Sequence, residues 1–297
     1  LARAGVEPES VAELAFKEDQ RRGADAVLAE ARLLFDLRSA AVFVPEIWNE
    51  FAGIGLALYA FVEGRLAGFA RGRPWWSAFE AVRVRERFFH WELEYPEILL
   101  DREAPGFDAV LGNPPWDKVL PSKKEFYAQR DMLVRALAGP ELDQRIRELR
   151  ERDSDLDGQF DLYRGRTLAL GQVLRAGGDF PLSEARSSSA NEDVSKYFVD
   201  RAARLVRRGG LVGLVVPSVL YNGDACLGIR RFLLHEASIE RFYGFENRRK
   251  LFPIDSRYKF VNLVFRKGGS TDSFQATFMR HDLRELEDTG PKSWMVT

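Results

Sequence analysis

Apolar positions in the first third of the chain recur at helical spacing. Val11, Leu14 and Ala15, then Val27, Leu28, Ala31 and Leu34, fall three or four residues apart among charged neighbours. That period marks helices with one buried stripe. Gly23 interrupts the series and predicts a turn. Residues 51–70 are apolar and contain glycines, and Pro74-Trp75-Trp76 follows; this stretch is read as a second helical layer. The expectation for residues 1–95 is a helical region.

Beyond it the pattern changes. Phe107-Asp-Ala-Val-Leu-Gly112 is a short apolar run stopped by glycine and two prolines, which predicts a buried parallel strand with an abrupt end. Residues 123–151 are charged and helix-prone. Residues 152–193 are polar, rich in Gly, Ser and Asp, and include Ser187-Ser188-Ser189; they are read as a long flexible loop. Ser195–Arg207 predicts an amphipathic helix with Phe198, Ala202 and Leu205 inward, ended by Gly209-Gly210. Leu211–Val216, closed by Pro217, is the second strand. Residues 225–236 read as helix, and Ile239–Phe245, Phe260–Phe265 and Ser273–Met279 as three further strands. Strands alternating with helices predict an α/β sheet over 96–297. No internal repeat is visible.

Composition narrows the function classes. Hydrophobic residues make up 45% of the chain and charged residues 30%, which fits a folded core rather than a disordered tail. The net charge of -1 excludes a uniformly basic nucleic-acid binder. Two local clusters remain: Arg201, Arg204, Arg207 and Arg208, and Arg248-Arg249-Lys250. A single cysteine, Cys226, excludes a disulfide framework and a cysteine zinc site, and points to a reducing, cytoplasmic setting. His90, His235 and His281 lack metal-ligand spacing, so no metal is expected. No apolar run reaches a membrane span and no signal peptide is visible. The first residues already read as helix, so a fragment of a longer polypeptide is expected.

The residues with the most chemistry are Gly112-Asn113-Pro114-Pro115-Trp116, directly after a strand. Open α/β sheets bind ligands at the carboxyl ends of their strands. An exocyclic amine on a purine is a poor nucleophile because its lone pair is delocalised into the ring. Two acceptors that take its hydrogens draw the nitrogen toward tetrahedral geometry. The Asn113 side-chain oxygen can be one and the Pro114 carbonyl the other, stiffened by the fixed φ of Pro114 and Pro115. Trp116 offers a flat face on which an extruded base can stack. The plainer reading is a strand followed by a proline-rich turn with a packing Trp, since Asn-Pro often opens turns.

This segment resembles the gamma-class amino methyltransferases of DNA, whose motif is Asn-Pro-Pro followed by an aromatic residue. Phe89-His-Trp-Glu-Leu-Glu-Tyr-Pro-Glu97 is similar to their large restriction–modification and phage-defence members of type IIG kind. The resemblance covers roughly residues 88–120 and 194–268. It implies a partial Rossmann-like methyltransferase sheet, S-adenosylmethionine as cofactor, and double-stranded DNA with a flipped adenine as substrate. It further implies that Phe198 packs on the cofactor adenine and that Phe252 sandwiches the flipped base against Trp116. Phe245–Lys250 and Ile254–Lys259 also resemble the long members. In these blocks Arg248, Arg249, Arg257 and Lys259 are candidate phosphate contacts, and Glu246 and Asp255 are candidate partners for them.

The family's glycine-rich cofactor loop and strand-end carboxylate are not evident. Phe51-Ala-Gly-Ile-Gly55 has the letters of such a loop but follows no clean strand. The expectation is therefore a chain that lacks an upstream cofactor-binding segment and a downstream specificity domain, and that is inactive alone. Two other readings stay open: a methylase of RNA or of protein glutamine, and a non-catalytic remnant that binds DNA through its basic loops.

Overall fold

The computed structural model describes residues 28–51, 55–176, 178–183, 193–286 and 293–296. The chain divides after Pro96 into two compact units. The Gly23 turn and Ser187–Ser189 lie outside the described residues.

In the first unit every described element is a helix. Residues 28–40 form α1, followed by α2 (Pro45–Phe51), α3 (Gly55–Val62), α4 (Leu66–Arg71), α5 (Trp76–Glu86) and the single turn α6 (Trp91–Glu94). Leu37, Ile47, Leu66 and Phe79 form its buried centre. Asp36 is buried beside it and accepts from Arg83 Nε at 2.8 Å; its other oxygen lies 2.7 Å from His90 Nε2. A buried carboxylate persists only when its oxygens are engaged in this way. Phe51 and Gly55 end α2 and begin α3. Residues 52–54 lie outside the described residues, and among the described residues no strand precedes Phe51, whereas a cofactor-binding glycine turn has to follow one.

The second unit is built on a mixed sheet of six strands: β1 (Phe107–Gly112), β2 (Val206–Pro217), β3 (Ala237–Glu246), β4 (Lys259–Lys267), β5 (Phe274–Arg280) and β6 (Ser293–Val296). Their order is β1-β2-β4-β3-β5-β6. β1 and β2 are parallel, with Val110 opposite Val212. β4 runs antiparallel between β2 and β3, and β5 lies parallel to β3. This is a partial Rossmann-like α/β arrangement. Helices α11 (Ser195–Leu205) and α13 (Leu227–His235) pack on the sheet. Val199, Ala202, Ile229 and Phe232 meet Val212, Leu214, Leu263 and Phe265 in the main core.

The alternation that buries Val212, Leu214 and Val216 leaves Leu211 and Val215 half-buried. β1 is an edge, not the buried strand its apolar run predicts. Asp108, Ala109 and Leu111 are exposed, Leu111 by 88%. Parallel pairs normally have cover on both faces; here the described residues cover one.

Between β1 and α11 the chain makes a helical insertion. Turn α7 (Pro96–Leu99) precedes β1, and after it come α8 (Lys123–Ala128), α9 (Gly139–Arg152) and α10 (Leu156–Ala176). Ser122 caps α8 by accepting from Glu125 N–H at 3.2 Å, as short N-cap side chains do. Half of the loop expected at 152–193 is thus a 21-residue helix, with residues 177 and 184–192 outside the described residues. Its glycines hide a stripe of Leu156, Phe160 and Tyr163 that packs on Phe126 and Tyr127 of α8 and Ile146 of α9.

Helix α11 departs from expectation in two ways. Ala202 and Leu205 are buried, but Phe198 is 45% exposed, and Tyr197 and Val199 take the inward positions. The helix stops at Leu205, and Gly209-Gly210 belong to β2, not to a helix terminus. Turn α12 (Val219–Asn222) follows β2.

Candidate active site

Because β1 and β2 are parallel and in register through Gly112 and Leu214, their carboxyl ends lie together. The Asn-Pro-Pro-Trp turn leaves β1 there. Asn113 is exposed, Pro114 buried and Trp116 half-buried. Trp116 Nε1 donates to the Val215 carbonyl at 3.1 Å, which pins the indole to the neighbouring strand. The next residues are tied to the start of α11. Val194 N–H donates to the Asp117 carbonyl at 2.8 Å, Lys118 bridges Asp193, and Asp193 accepts from Ser195 N–H at 2.8 Å. The turn is therefore anchored on both sides while the Asn113 side chain points to an accessible surface.

Trp116 sits in an aromatic cluster contributed by the distant β3–β4 connection. Phe252 meets it edge-on, with ring centroids 5.0 Å apart and planes at 71°. Phe260 is tilted at 31° and 5.6 Å. Tyr258 lies parallel, at 5.6 Å and 5°. The sequence brings Trp116 and Phe252 together as expected, but not as a parallel sandwich, since an edge-on pair leaves no slot between the rings. The parallel ring is Tyr258, which sequence reasoning passed over inside the block Ile254–Lys259. Burial pushes its phenol above the ordinary value, and the nearby Asp193 and Asp117 charges push the same way. Asp193 is likewise raised, chiefly by burial.

The loop bearing Phe252 is held by Asn247, which is fully buried. Its carboxamide oxygen accepts from Phe252 N–H at 3.0 Å. Its Nδ2 faces the carbonyls of Phe252, Ile254 and Asp255 at 2.9, 3.3 and 3.2 Å. Its backbone N–H donates to the Tyr258 carbonyl at 2.9 Å. Asn247 thus fixes two of the three aromatic residues that reach Trp116, Phe252 and Tyr258. The only hint in the sequence was its place in the block Phe245–Lys250.

The four basic candidates are not equivalent. Arg248 pairs with Glu246 at 2.6 Å, Arg249 with Asp282 at 2.6 Å, and Arg257 with Asp255 at 2.8 Å. Burial raises Glu246, but the bonds from Arg248 and His281 outweigh it and hold the carboxyl below the usual range. Asp255 is driven far down by Arg257. Each of these arginines remains at least 65% exposed while partly neutralised. Lys259 is exposed and has no ion pair among the described residues. In the other basic cluster, Arg207 pairs with Asp108 at 2.6 Å, and Arg204 donates to the Asp179 carbonyl.

Residues 179–252 match the family described as the Eco57I restriction-modification methylase. Over that segment the chain is similar to restriction-modification methylases. Similar solved structures include a modification subunit of a putative type I restriction enzyme from Vibrio vulnificus YJ016, 13% identical over 35% of this chain and 27% of that one, with a TM-score of 0.29. The type IIG restriction endonuclease BpuSI is 16% identical over 44% of this chain and 16% of its own, at 0.30. The ATP-dependent type ISP restriction-modification enzyme LlaBIII bound to DNA is 12% identical over 64% and 12%, at 0.35. The chain spans less than a third of the length of each of these. The comparison with curated proteins returned no match.

Among the described residues no group of three or more His, Cys, Asp or Glu side chains is arranged to hold a metal. No helix there is long and apolar enough to cross a membrane. Cys226 is buried, and its thiol is pushed up to about 11 by that burial, which leaves it a poor nucleophile.

Proposed function

We propose that this chain carries the base-facing half of a site that methylates the N6 amine of adenine in DNA, within a restriction-modification or phage-defence enzyme of the cytoplasm. The observation that carries the reading is the accessible Asn113 carboxamide. It makes no side-chain hydrogen bond among the described residues and stands three residues from an anchored indole at the carboxyl end of a parallel strand pair. Asn113 Oδ1 and the Pro114 carbonyl accept the two amine hydrogens. The nitrogen lone pair is thereby drawn out of conjugation with the ring, and the amine proton has an acceptor as the new bond forms. Trp116 supplies the stacking face, with Phe252 at its edge. Lys259 is the basic residue best placed to meet a phosphate, and Arg248, Arg249 and Arg257 contribute the charge their carboxylates leave over.

The methyl donor of such chemistry is S-adenosylmethionine. The described residues offer that group one aromatic, the exposed Phe198; the carboxylate that ends β3, Glu246, is already engaged by Arg248 and His281, and the glycine pair after β4, Gly268-Gly269, leads into β5 and not into a helix that could hold a cofactor. They do not form a cofactor cradle by themselves. The bare edge of β1 and the half-covered face beside Leu211 and Val215 support a reading in which an upstream cofactor-binding segment of the same longer polypeptide covers them. A downstream specificity domain is then the reader of the recognition sequence.

The test is methyl transfer to duplex DNA by the longer enzyme. Asn113→Ala is expected to reduce turnover by at least about a hundred-fold, as loss of a reacting-group contact does, with DNA binding retained. Transfer at the wild-type rate would remove Asn113 from the chemistry.

A further inference from the structure

Three features bear on how a base reaches Trp116. The ring parallel to the indole is already a protein ring: Tyr258 lies within 5° of the Trp116 plane at 5.6 Å. Parallel aromatic pairs at such separations are offset stacks, so Tyr258 covers area that a planar ligand on the indole needs. The other rings of the cluster belong to fixed structure. Phe260 is 3% exposed and stacks at 10° on Phe245, and Phe252 is clamped through its backbone by Asn247. Tyr258 is only half-buried, and its hydroxyl makes no hydrogen bond among the described residues. Its backbone is held by Asp255 and Asn247, so the side chain can swing about a fixed anchor.

We propose that Tyr258 is a place-holder for the target base. It stacks on Trp116 in the free protein and is displaced when a base enters. The inference rests on Trp116 being the base-stacking face. It adds a competing internal ligand on that face, which keeps the indole covered and sets a threshold for capture. A ring that must be displaced disfavours weakly stacking or still-paired bases, and so contributes discrimination without contacting a base edge. No covalent step is involved.

The probe is a single-stranded oligonucleotide carrying 2-aminopurine, whose fluorescence is quenched on stacking. Removing the competitor with Tyr258→Ala is expected to tighten quench-detected binding by about five-fold or more, the lower range for one aromatic–base stack. Tyr258→Leu, which keeps apolar volume without a flat ring, is expected to do the same, and so covers the case in which the alanine variant is unfolded. Tyr258→Phe retains the ring and is expected to bind as the wild type does. Weaker or unchanged binding in the alanine and leucine variants overturns the place-holder role; weaker binding makes Tyr258 a second wall of the base site. Trp116→Ala separates the two claims. Loss of quenching there, without tightening at position 258, rejects the place-holder alone. Undiminished quenching rejects the stacking face itself.

Discussion

A buried carboxamide costs free energy unless its donors and acceptor are all used, and Asn247 uses them to hold one loop. Asn247→Asp keeps the acceptor for Phe252 N–H but sets a carboxylate against the carbonyls of Phe252, Ile254 and Asp255. The expected cost is roughly 1–3 kcal/mol. Faster amide exchange is expected for residues 250–258, with β4 unchanged. Uniform protection across both segments would show that the side chain is not the clamp. Asp200 is a second buried group with a measurable signature. One oxygen accepts from Leu182 and Ser183 N–H at 2.8 and 3.0 Å, and the other is buried with no hydrogen-bond partner among the described residues. Burial raises its pKa above 3.8, against the opposing hydrogen bonds from Ser183 and Leu182. A carboxyl raised on folding contributes stability below its unfolded pKa, which is lost as pH rises through the folded value. Asp200→Asn should therefore lose less stability than the wild type as pH rises from the ordinary carboxylate range toward neutrality in denaturant titrations; parallel curves would refute the assignment. At this scale Asn113–Trp116 stood out in the sequence as a candidate, because the proposed chemistry would sit in consecutive residues. Asn247 and Tyr258 did not, because their roles depend on a loop returning to a turn more than a hundred positions earlier.

Strands β2 to β5 were readable from apolar runs, since runs of four to eight residues bounded by turn residues describe sheet cores well. The exposure of β1 was not readable: its apolar letters fit a covered strand, and only the coordinates show Leu111 bare. Helix α10 was misread because Gly158, Gly165 and Gly171 mask its buried stripe. Packing does not require glycine at two of them: a Cβ at Gly165 meets nothing within 4 Å, and one at Gly171 reaches Val119 at ordinary contact distance. Gly228 in α13 carries a sharper consequence. A Cβ there would stand 2.5 Å from the Leu182 carbonyl oxygen and 3.1 Å from its carbon. The contact docks the strand of chain at Phe180–Ser183 that Asp200 also grips. Gly→Ala within a helix gains about 1 kcal/mol of propensity, whereas overpacking against backbone costs about 1–3 kcal/mol. Gly228→Ala is expected to destabilise the second unit in urea titrations. A rise in stability would mean that the Leu182 segment yields freely.

Taken as a whole, the molecule has two units, each with its own buried core. The second holds every residue assigned to the proposed site except the cofactor half. Spacing predicted helices where the described part of the first unit has them, with Val11, Leu14, Ala15 and Val27 outside the described residues, and alternating runs predicted the α/β nature of the second. What no local pattern could show is how much of a sheet is present. Among the described residues the sheet ends in the parallel strand β1, whose outer residues are exposed. The central claim concerns which atom receives a methyl group, and product identity tests it most directly. Duplex DNA, RNA and protein substrates are incubated with the longer enzyme and labelled methyl donor, then digested and resolved by mass spectrometry. Label is expected in N6-methyladenine from duplex DNA, and none with the Asn113→Ala enzyme. Label found in RNA or in glutamine, with none in DNA adenine, would contradict it.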